Sequence, residues 1–192
     1  MIPKSETFEG TWPYRPQFFD GNGFRQHYID EGVTGENGNV IVCVHGEPTW
    51  GYIWRNFIPR LKEQGRIIVP DHMGFGKSET PQDRDYWVRE HCDNLERLLL
   101  DLDVQNVTLV MQDWGGTIGS SFALRHPDRV RALCLCNTYV PWTRLPDKTY
   151  ERKWVEFIQS DQFEPTLSNL GATVLSVMKR VGFERAAHID EN

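Results

Sequence analysis

Residues 106–116 have the sequence NVTLVMQDWGG, in which a short apolar run ends at Asp113 and is followed by tryptophan and two glycines. A continuous apolar run of this length is typical of a central strand in a parallel sheet. The next residues, from about Trp114 to Arg125, have the pattern of a helix. We therefore predict a strand that turns directly into a helix, with Asp113 at the turn.

Similar apolar runs and helical patterns alternate on both sides of this stretch. Strands are predicted at residues 24–30, 39–44, 66–70, 106–111 and 131–136, and helices at residues 52–64, 85–102 and 114–125. Pro59 is expected to kink or shorten the first helix, because proline cannot donate a hydrogen bond to the helical ladder. Strands that alternate with helices through short connections predict a parallel sheet covered on both faces.

After Pro141 the alternation of strands and helices gives way to helices alone. Residues 150–159 and 173–182 have amphipathic helical patterns, and no further apolar strand follows. We therefore predict a core over residues 1–140 and a helical segment over residues 141–192.

The composition argues against several classes of function. With 39% hydrophobic and 25% charged residues, the 192-residue chain has the composition of an ordinary globular protein. Its formal net charge of -6, without a basic stripe, argues against nucleic acid as a partner. No apolar run approaches the roughly 20 residues that span a membrane, and residues 1–6 contain no apolar signal segment. We therefore expect a cytoplasmic protein.

The cysteines are few for a chain of this length, and each lies in an apolar segment. We expect all four to be buried free thiols, as is usual in a reducing cytosol; they are Cys43, Cys92, Cys134 and Cys136. A metal site at the Cys-x-Cys pair is the alternative, but no histidine or second pair follows at ligand spacing. Residues 74–78 lack the spacing of a phosphate-binding loop, so we predict no metal and no nucleotide cofactor.

Three unusual clusters follow three of the predicted strands. They are VHGEPTW at residues 44–50, PDHMGFGKS at residues 70–78 and VMQDWGG at residues 110–116. In an open α/β sheet the ligand crevice lies beyond the carboxyl ends of the strands, which is where these clusters fall.

The third cluster carries the chemistry that we expect of this site. At a sharp strand-to-helix turn, the Asp113 carboxylate can attack a carbon and form an ester that water must later hydrolyse. The backbone N–H groups of Glu47 and Trp114 would face the oxyanion of that hydrolysis. The indole N–H of Trp114 is only a donor and suits a leaving halide. A helix N-cap is the alternative role for Asp113, and the presence of all three clusters in order favours the chemical role.

These clusters resemble those of the haloalkane dehalogenases, which are α/β-hydrolases, and the resemblance extends over about residues 21–141. It implies an α/β-hydrolase fold, with Asp113 as nucleophile, Trp114 as a halide-binding residue and Glu47 as the provider of an oxyanion-hole amide. It also implies that residues 141–192 are a partial helical cap. Because the sheet of such a fold would lack its last strands and keep an unpaired edge, we expect the chain to be a fragment of a longer protein. Glu47, where many members have asparagine, is similar to the dichloroethane-type subfamily, in which a cap tryptophan also binds halide. The candidate for that second tryptophan is Trp154, and ordinary cap packing is its alternative role.

The resemblance implies hydrolysis of a small haloalkane to an alcohol and a halide, with water as co-substrate, no cofactor and a monomeric full-length protein. Three alternatives remain open. The β-lactone decarboxylases of olefin biosynthesis share the Asp-Trp-Gly-Gly turn, although Glu47 and Gln112 argue against them. An epoxide hydrolase would take its ring-opening tyrosines from the cap, where Tyr139 and Tyr150 are candidates. A non-catalytic binding protein is the alternative of a different class.

No histidine occupies the position that the resemblance assigns to the catalytic base, and we expect structural roles for all six. They are His27, His45, His72, His91, His126 and His188. The acid is also missing from the one position where it could already have appeared, because Asn137 stands there. Trp142 is the second choice for the additional halide-binding residue. We therefore expect this chain by itself to be alkylated but not to turn over, since no base would activate water.

Overall fold

The computed structural model describes residues 2–35, 38–138 and 161. Within these residues six strands form one sheet, which three helices flank. The strands are β1 (Gln17–Phe19), β2 (Gln26–Glu31), β3 (Val40–Val44), β4 (Arg66–Pro70), β5 (Val107–Asp113) and β6 (Val130–Thr138). The helices are α1 (Ile58–Leu61), α2 (Val88–Asp101) and α3 (Trp114–Arg125), and Gly51–Trp54 and Pro127–Arg129 are 3-10 turns.

The sheet is mostly parallel, as predicted. Its strand order is β1-β2-β4-β3-β5-β6. Strands β4, β3, β5 and β6 run parallel, whereas β1 and β2 are antiparallel to their neighbours. Parallel pairing brings the carboxyl ends of β3, β4 and β5 to one edge, so the three clusters found in the sequence all begin there.

Helices cover both faces of the sheet, which confirms the second part of the fold prediction. Alternate side chains of β3 point to opposite faces, so Val42 packs with Leu95 and Leu99 of α2 while Cys43 packs with Trp54 on the other side. All five side chains are buried. Burial of each large apolar side chain stabilises the fold by about 1.5–3 kcal/mol relative to an exposed position.

The predicted helix over residues 52–64 is wrong as a single element. The structure has a 3-10 turn over Gly51–Trp54 and a four-residue helix, α1, over Ile58–Leu61. Pro59 lies in the first turn of α1, where its missing N–H has no intrahelical acceptor and its fixed φ suits a helix start. It therefore begins a short helix instead of kinking a long one.

An aromatic cluster near the amino terminus was not predicted. Trp12 is completely buried and packs edge-on against Tyr14 and Trp50, whose ring stacks on Tyr52. Phe8 packs against the rings of Trp50 and Tyr52, at centroid distances of 5.6 and 5.1 Å respectively. The N-terminal segment thereby buttresses the end of the loop that follows β3.

The burial prediction is confirmed for two cysteines and wrong for the other two. Cys43 and Cys92 are buried, whereas Cys134 and Cys136 on β6 are exposed. The reason is that β6 is an edge strand among the described residues, paired only with β5 and accessible on both faces along most of its length. None of the four cysteines forms a disulfide bond.

The predicted division into a core and a partial cap remains a prediction, because residues 139–160 and 162–192 lie outside the described part of the chain. None of the helices in the described ranges is long and apolar enough to cross a membrane.

Candidate active site

Asp113 is the last residue of β5, and α3 begins at the next residue. Its backbone dihedrals are φ 53° and ψ -130°. Residues other than glycine rarely adopt positive φ, and such conformations cluster at active sites. Asp113 occupies the N-cap position of α3, but its carboxylate makes no capping hydrogen bond to the helix, so the side chain does not have a capping role.

The Asp113 carboxylate presents its two oxygens differently. The backbone N–H of Glu47 donates a hydrogen bond of 2.9 Å to Oδ1. Oδ2 accepts no hydrogen bond from the described residues. The Glu47 loop therefore holds one carboxylate oxygen and leaves the other without such a contact.

Two glycines allow the turn at Asp113 to pack against the loop after β3. A Cβ atom on Gly46 would collide with the Asp113 side chain and lie 2.7 Å from the backbone nitrogen of Trp114. A Cβ atom on Gly115 would meet the backbone carbonyls of Val44 and His45, the latter at 2.8 Å. The close approach of the two segments places the Glu47 amide beside the carboxylate.

Thr138, at the end of β6, supports the turn from its other side, and sequence reasoning missed it. Its hydroxyl donates a short hydrogen bond to the carbonyl oxygen of Asp113, and the two residues are partners in the β5–β6 pairing. A Cβ atom on Gly116 would collide with the Thr138 side chain. Only the strand register reveals this contact, because a threonine at a strand end has no distinctive pattern.

The Glu47 carboxyl interacts electrostatically with the Asp113 carboxylate, and Trp114 is the residue that follows Asp113 at the start of α3. The Trp114 indole is 36% exposed and makes no hydrogen bond with the described residues. Desolvation, and then the negative charge of Asp113, raise the pKa of the Glu47 carboxyl above its ordinary value.

His45 and His72 form a buried pair below the site. The backbone N–H of His72 donates to Nε2 of His45 at 2.9 Å, and Nε2–H of His72 donates to the carbonyl oxygen of His45 at 2.9 Å. Burial lowers the pKa of both rings, and that of His91, which packs against His72. Neither nitrogen of His45 is free to accept a proton from a substrate water.

The remaining described histidines have other partners. His27 lies 2.8 Å from the Asp71 carboxylate in the interior, and His126 lies 2.6 Å from Glu96. None of the five histidines in the described ranges makes a hydrogen bond or ion pair with Asp113. The sixth, His188, lies outside the described residues.

The second sequence cluster is a structural support. The Asp71 carboxylate is completely buried and accepts hydrogen bonds from the backbone N–H groups of Gly51 and Lys77, in addition to its contact with His27. The Lys77 ammonium donates to the carbonyl oxygens of Lys4 and Glu6, and burial lowers its pKa. These bonds fix the loop after β4 to the turn that follows the Glu47 loop.

Several candidates from the sequence fall outside the described residues, namely Trp142, Trp154, Tyr139 and Tyr150. Asn137 is described and lies exposed on β6 beside Thr138. Among the described residues, no three histidine, cysteine or acidic side chains converge as a metal site would require.

A sheet of this order, with a strained aspartate between β5 and α3, is an α/β-hydrolase arrangement. A family model described as the alpha/beta hydrolase fold matches residues 39–180. Because the match covers most of the chain, the protein belongs to the α/β-hydrolase fold family.

Two groups of relatives within that family are similar to this chain. A cis-3-alkyl-4-alkyloxetan-2-one decarboxylase of Shewanella oneidensis is 43% identical over 129 residues, which cover 66% of this chain and 39% of the relative. A haloalkane dehalogenase of Psychrobacter cryohalolentis is 39% identical over 137 residues, covering 70% of this chain and 45% of the relative. The chain therefore spans less than half the length of either relative.

A solved structure agrees with the sequence comparison. The haloalkane dehalogenase of Paraglaciecola agarilytica, described as tetrameric, superimposes with a TM-score of 0.68 and 36% sequence identity. The match covers 77% of this chain and 50% of that protein.

Proposed function

We propose that the protein is a hydrolytic haloalkane dehalogenase in which Asp113 is the nucleophile. Oδ2 of Asp113 attacks the halogen-bearing carbon, the carbon–halogen bond breaks, and the halide leaves with its electron pair. The observation that carries this proposal is the hydrogen bond from the Glu47 amide to Oδ1, because it holds one carboxylate oxygen and leaves Oδ2 without a hydrogen bond from the described residues. The product of this step is an alkyl ester of Asp113.

The second step of the proposed reaction is hydrolysis of that ester. Water attacks the ester carbonyl carbon, and negative charge develops on Oδ1, which faces the Glu47 amide. Collapse of the tetrahedral intermediate breaks the bond between the carbonyl carbon and the alkoxy oxygen. One proton of the water goes to that oxygen to form the alcohol, and the other is released, which restores the carboxylate. The backbone N–H of Trp114 is the second proposed donor to the oxyanion.

Activation of water needs a general base, and none of the described histidines contacts Asp113. We therefore expect this chain by itself to form the ester but not to turn over.

The leaving halide needs hydrogen-bond donors. The indole N–H of Trp114 is the first donor in this proposal, since it is adjacent to the nucleophile and has no partner among the described residues. Trp154 is proposed as the second donor, with Trp142 as the next choice.

Exposure of the purified chain to 1,2-dibromoethane tests the proposal. We expect one covalent adduct, located by peptide mass spectrometry on Asp113, and one equivalent of bromide released with it. Asp113→Ala should abolish the adduct, whereas Asp101→Ala, at the exposed end of α2, should leave it unchanged. A folded chain that forms no adduct would refute the nucleophile, and continuous bromide release would reveal a base that we have not identified.

The decarboxylase relative makes a second function worth testing. Oδ2 would attack C4 of the β-lactone, which is the saturated ring carbon bonded to the ring oxygen. The bond between C4 and the ring oxygen would break, leaving an alkyl ester of Asp113 that carries a free carboxylate. Loss of carbon dioxide would then form an alkene and expel Asp113, without any water. Incubation with a cis-3,4-dialkyl-oxetan-2-one, with alkene and carbon dioxide measured, distinguishes this reaction. Repeated alkene formation without dehalogenation would replace the dehalogenase proposal.

The proposed partners are a small halogenated substrate and water, without a cofactor. Location in the cytoplasm and a monomeric state remain predictions.

A further inference from the structure

The amide that contacts Asp113 belongs to the Gly46–Glu47 peptide, whose carbonyl group is unusually well bonded. The Gly46 carbonyl oxygen lies 2.9 Å from Nδ1 of His45 and accepts a hydrogen bond of 2.9 Å from the Thr49 hydroxyl. It also accepts a bond of 3.1 Å from the Thr49 backbone N–H. Three donors therefore converge on one end of a peptide whose other end faces the nucleophile.

The direction of the His45 hydrogen bond follows from its second contact. Nε2 of His45 accepts the backbone N–H of His72, so this nitrogen carries no proton. In a neutral imidazole the proton must then be on Nδ1, which donates to the Gly46 carbonyl. The two bonds between His45 and His72 hold the ring in this orientation.

We propose that His45 and Thr49 are positioning residues that orient and polarise the Gly46–Glu47 peptide for the Asp113 ester intermediate. A peptide group is planar, so donors that fix the carbonyl also fix the direction of the N–H. Hydrogen bonds to a carbonyl also strengthen the donor at the other end of the same amide. This role rests on the proposed nucleophilic function of Asp113.

Polarisation of the Gly46–Glu47 peptide should affect the formation and the hydrolysis of the Asp113 ester differently. During alkylation the charge on Oδ1 decreases, so a stronger hydrogen bond to that atom does not accelerate attack by Oδ2. During ester hydrolysis negative charge develops on Oδ1, and a polarised amide stabilises it. His45 and Thr49 should therefore promote breakdown of the ester without accelerating its formation.

Thr49→Val tests this assignment because it removes the hydroxyl and retains the side-chain shape and the backbone N–H. The Asp113 adduct is formed with 1,2-dibromoethane, and its breakdown is followed by intact mass with hydroxylamine supplied as the nucleophile. Loss of one hydrogen bond predicts breakdown about fivefold slower, with the rate of adduct formation not reduced. Thr49→Ser should restore the rate. Thr108→Val, at the opposite end of β5, should match the unaltered chain.

A second measurement needs no reaction. The amide proton of Glu47, observed by NMR in ¹⁵N-labelled protein, should move upfield in Thr49→Val and return in Thr49→Ser. An unchanged resonance, or an adduct that breaks down as fast as in Thr108→Val, would overturn the proposal. If the unaltered chain forms no adduct, the proposed nucleophile fails, while the NMR comparison still decides whether Thr49 polarises the amide.

Discussion

At the scale of single residues, the site depends on distances that leave no room for a methyl group. Gly115 allows α3 to start against the backbone of Val44 and His45, Gly116 allows close contact with Thr138, and the Gly46 loop approaches the carboxylate in the same way. The first turn of α3 packs against backbone atoms, which cannot move aside as the end of a flexible side chain could. Small substitutions at these positions should therefore have large effects.

We expect Gly115→Ala to destabilise the protein by about 3 kcal/mol, because the added Cβ would meet two backbone carbonyls that cannot move apart easily. Urea denaturation followed by circular dichroism measures the change in the free energy of unfolding. Gly35→Ala is the matched control, since a Cβ there has no atom within 4 Å. Equal stability of the two variants would contradict the packing described for α3.

Some of these residues could be recognised from sequence and others could not. Asp113, Trp114 and Glu47 lie in compact motifs whose order along the chain indicates a site. Thr49 lies in such a motif too, but its contact with the Gly46 carbonyl depends on the loop conformation. The contact of Thr138 with Asp113 depends on the register between β5 and β6, which no local sequence pattern encodes.

At the scale of elements, Asp71 joins parts of the chain that are distant in sequence. Its carboxylate is the common acceptor for the start of the 3-10 turn at Gly51, the loop at Lys77 and the His27 side chain of β2. It thereby connects β2, β4 and the segment after the Glu47 loop.

Asp71→Ala should lower the free energy of unfolding by about 3–5 kcal/mol, because it would leave buried donors on His27, Gly51 and Lys77 without an acceptor. Chemical denaturation checks this value. Asp83→Ala removes an exposed carboxylate and should change stability by less than about 0.5 kcal/mol. A loss below 1 kcal/mol at Asp71 would indicate that water replaces its hydrogen bonds.

The elements themselves were predicted to different degrees. The buried strands and α2 have strong periodic patterns, so their predicted bounds lie within a few residues of the observed ones. Strand β1 has only three residues, which is too short for a periodic signal. The segment over residues 52–64 has helical composition but follows the surface of the aromatic cluster, and tertiary packing divides it in two.

At the scale of the whole molecule, buried neutral histidines couple stability to pH. Burial lowers the pKa of His45, His72 and His91 below the ordinary value of 6.5. Above pH 6.5 these rings are neutral in both the folded and the unfolded chain. Below pH 6.5 only the unfolded chain binds protons, so stability falls as the pH decreases towards the folded-state pKa values.

We expect the free energy of unfolding to decrease between pH 7 and pH 5.5, with a limiting slope of about 1.4 kcal/mol per pH unit for each histidine. Urea titrations at several pH values measure this slope. His91→Phe removes one of the three rings and should reduce it by up to about a third. A stability that is constant over this range would show that the rings titrate normally in the folded protein.

Because of the positive φ of Asp113, laboratory evolution for thermal stability would act against retention of its carboxylate. Glycine adopts that conformation without the cost of about 1 kcal/mol or more that other residues carry, so Asp113→Gly should melt at a higher temperature than the parent chain. A library sorted for thermal tolerance alone would therefore enrich variants that have lost the Asp113 carboxylate. Selection for robustness has to be paired with a functional screen, or the aspartate that we propose as the nucleophile becomes one of the first residues discarded.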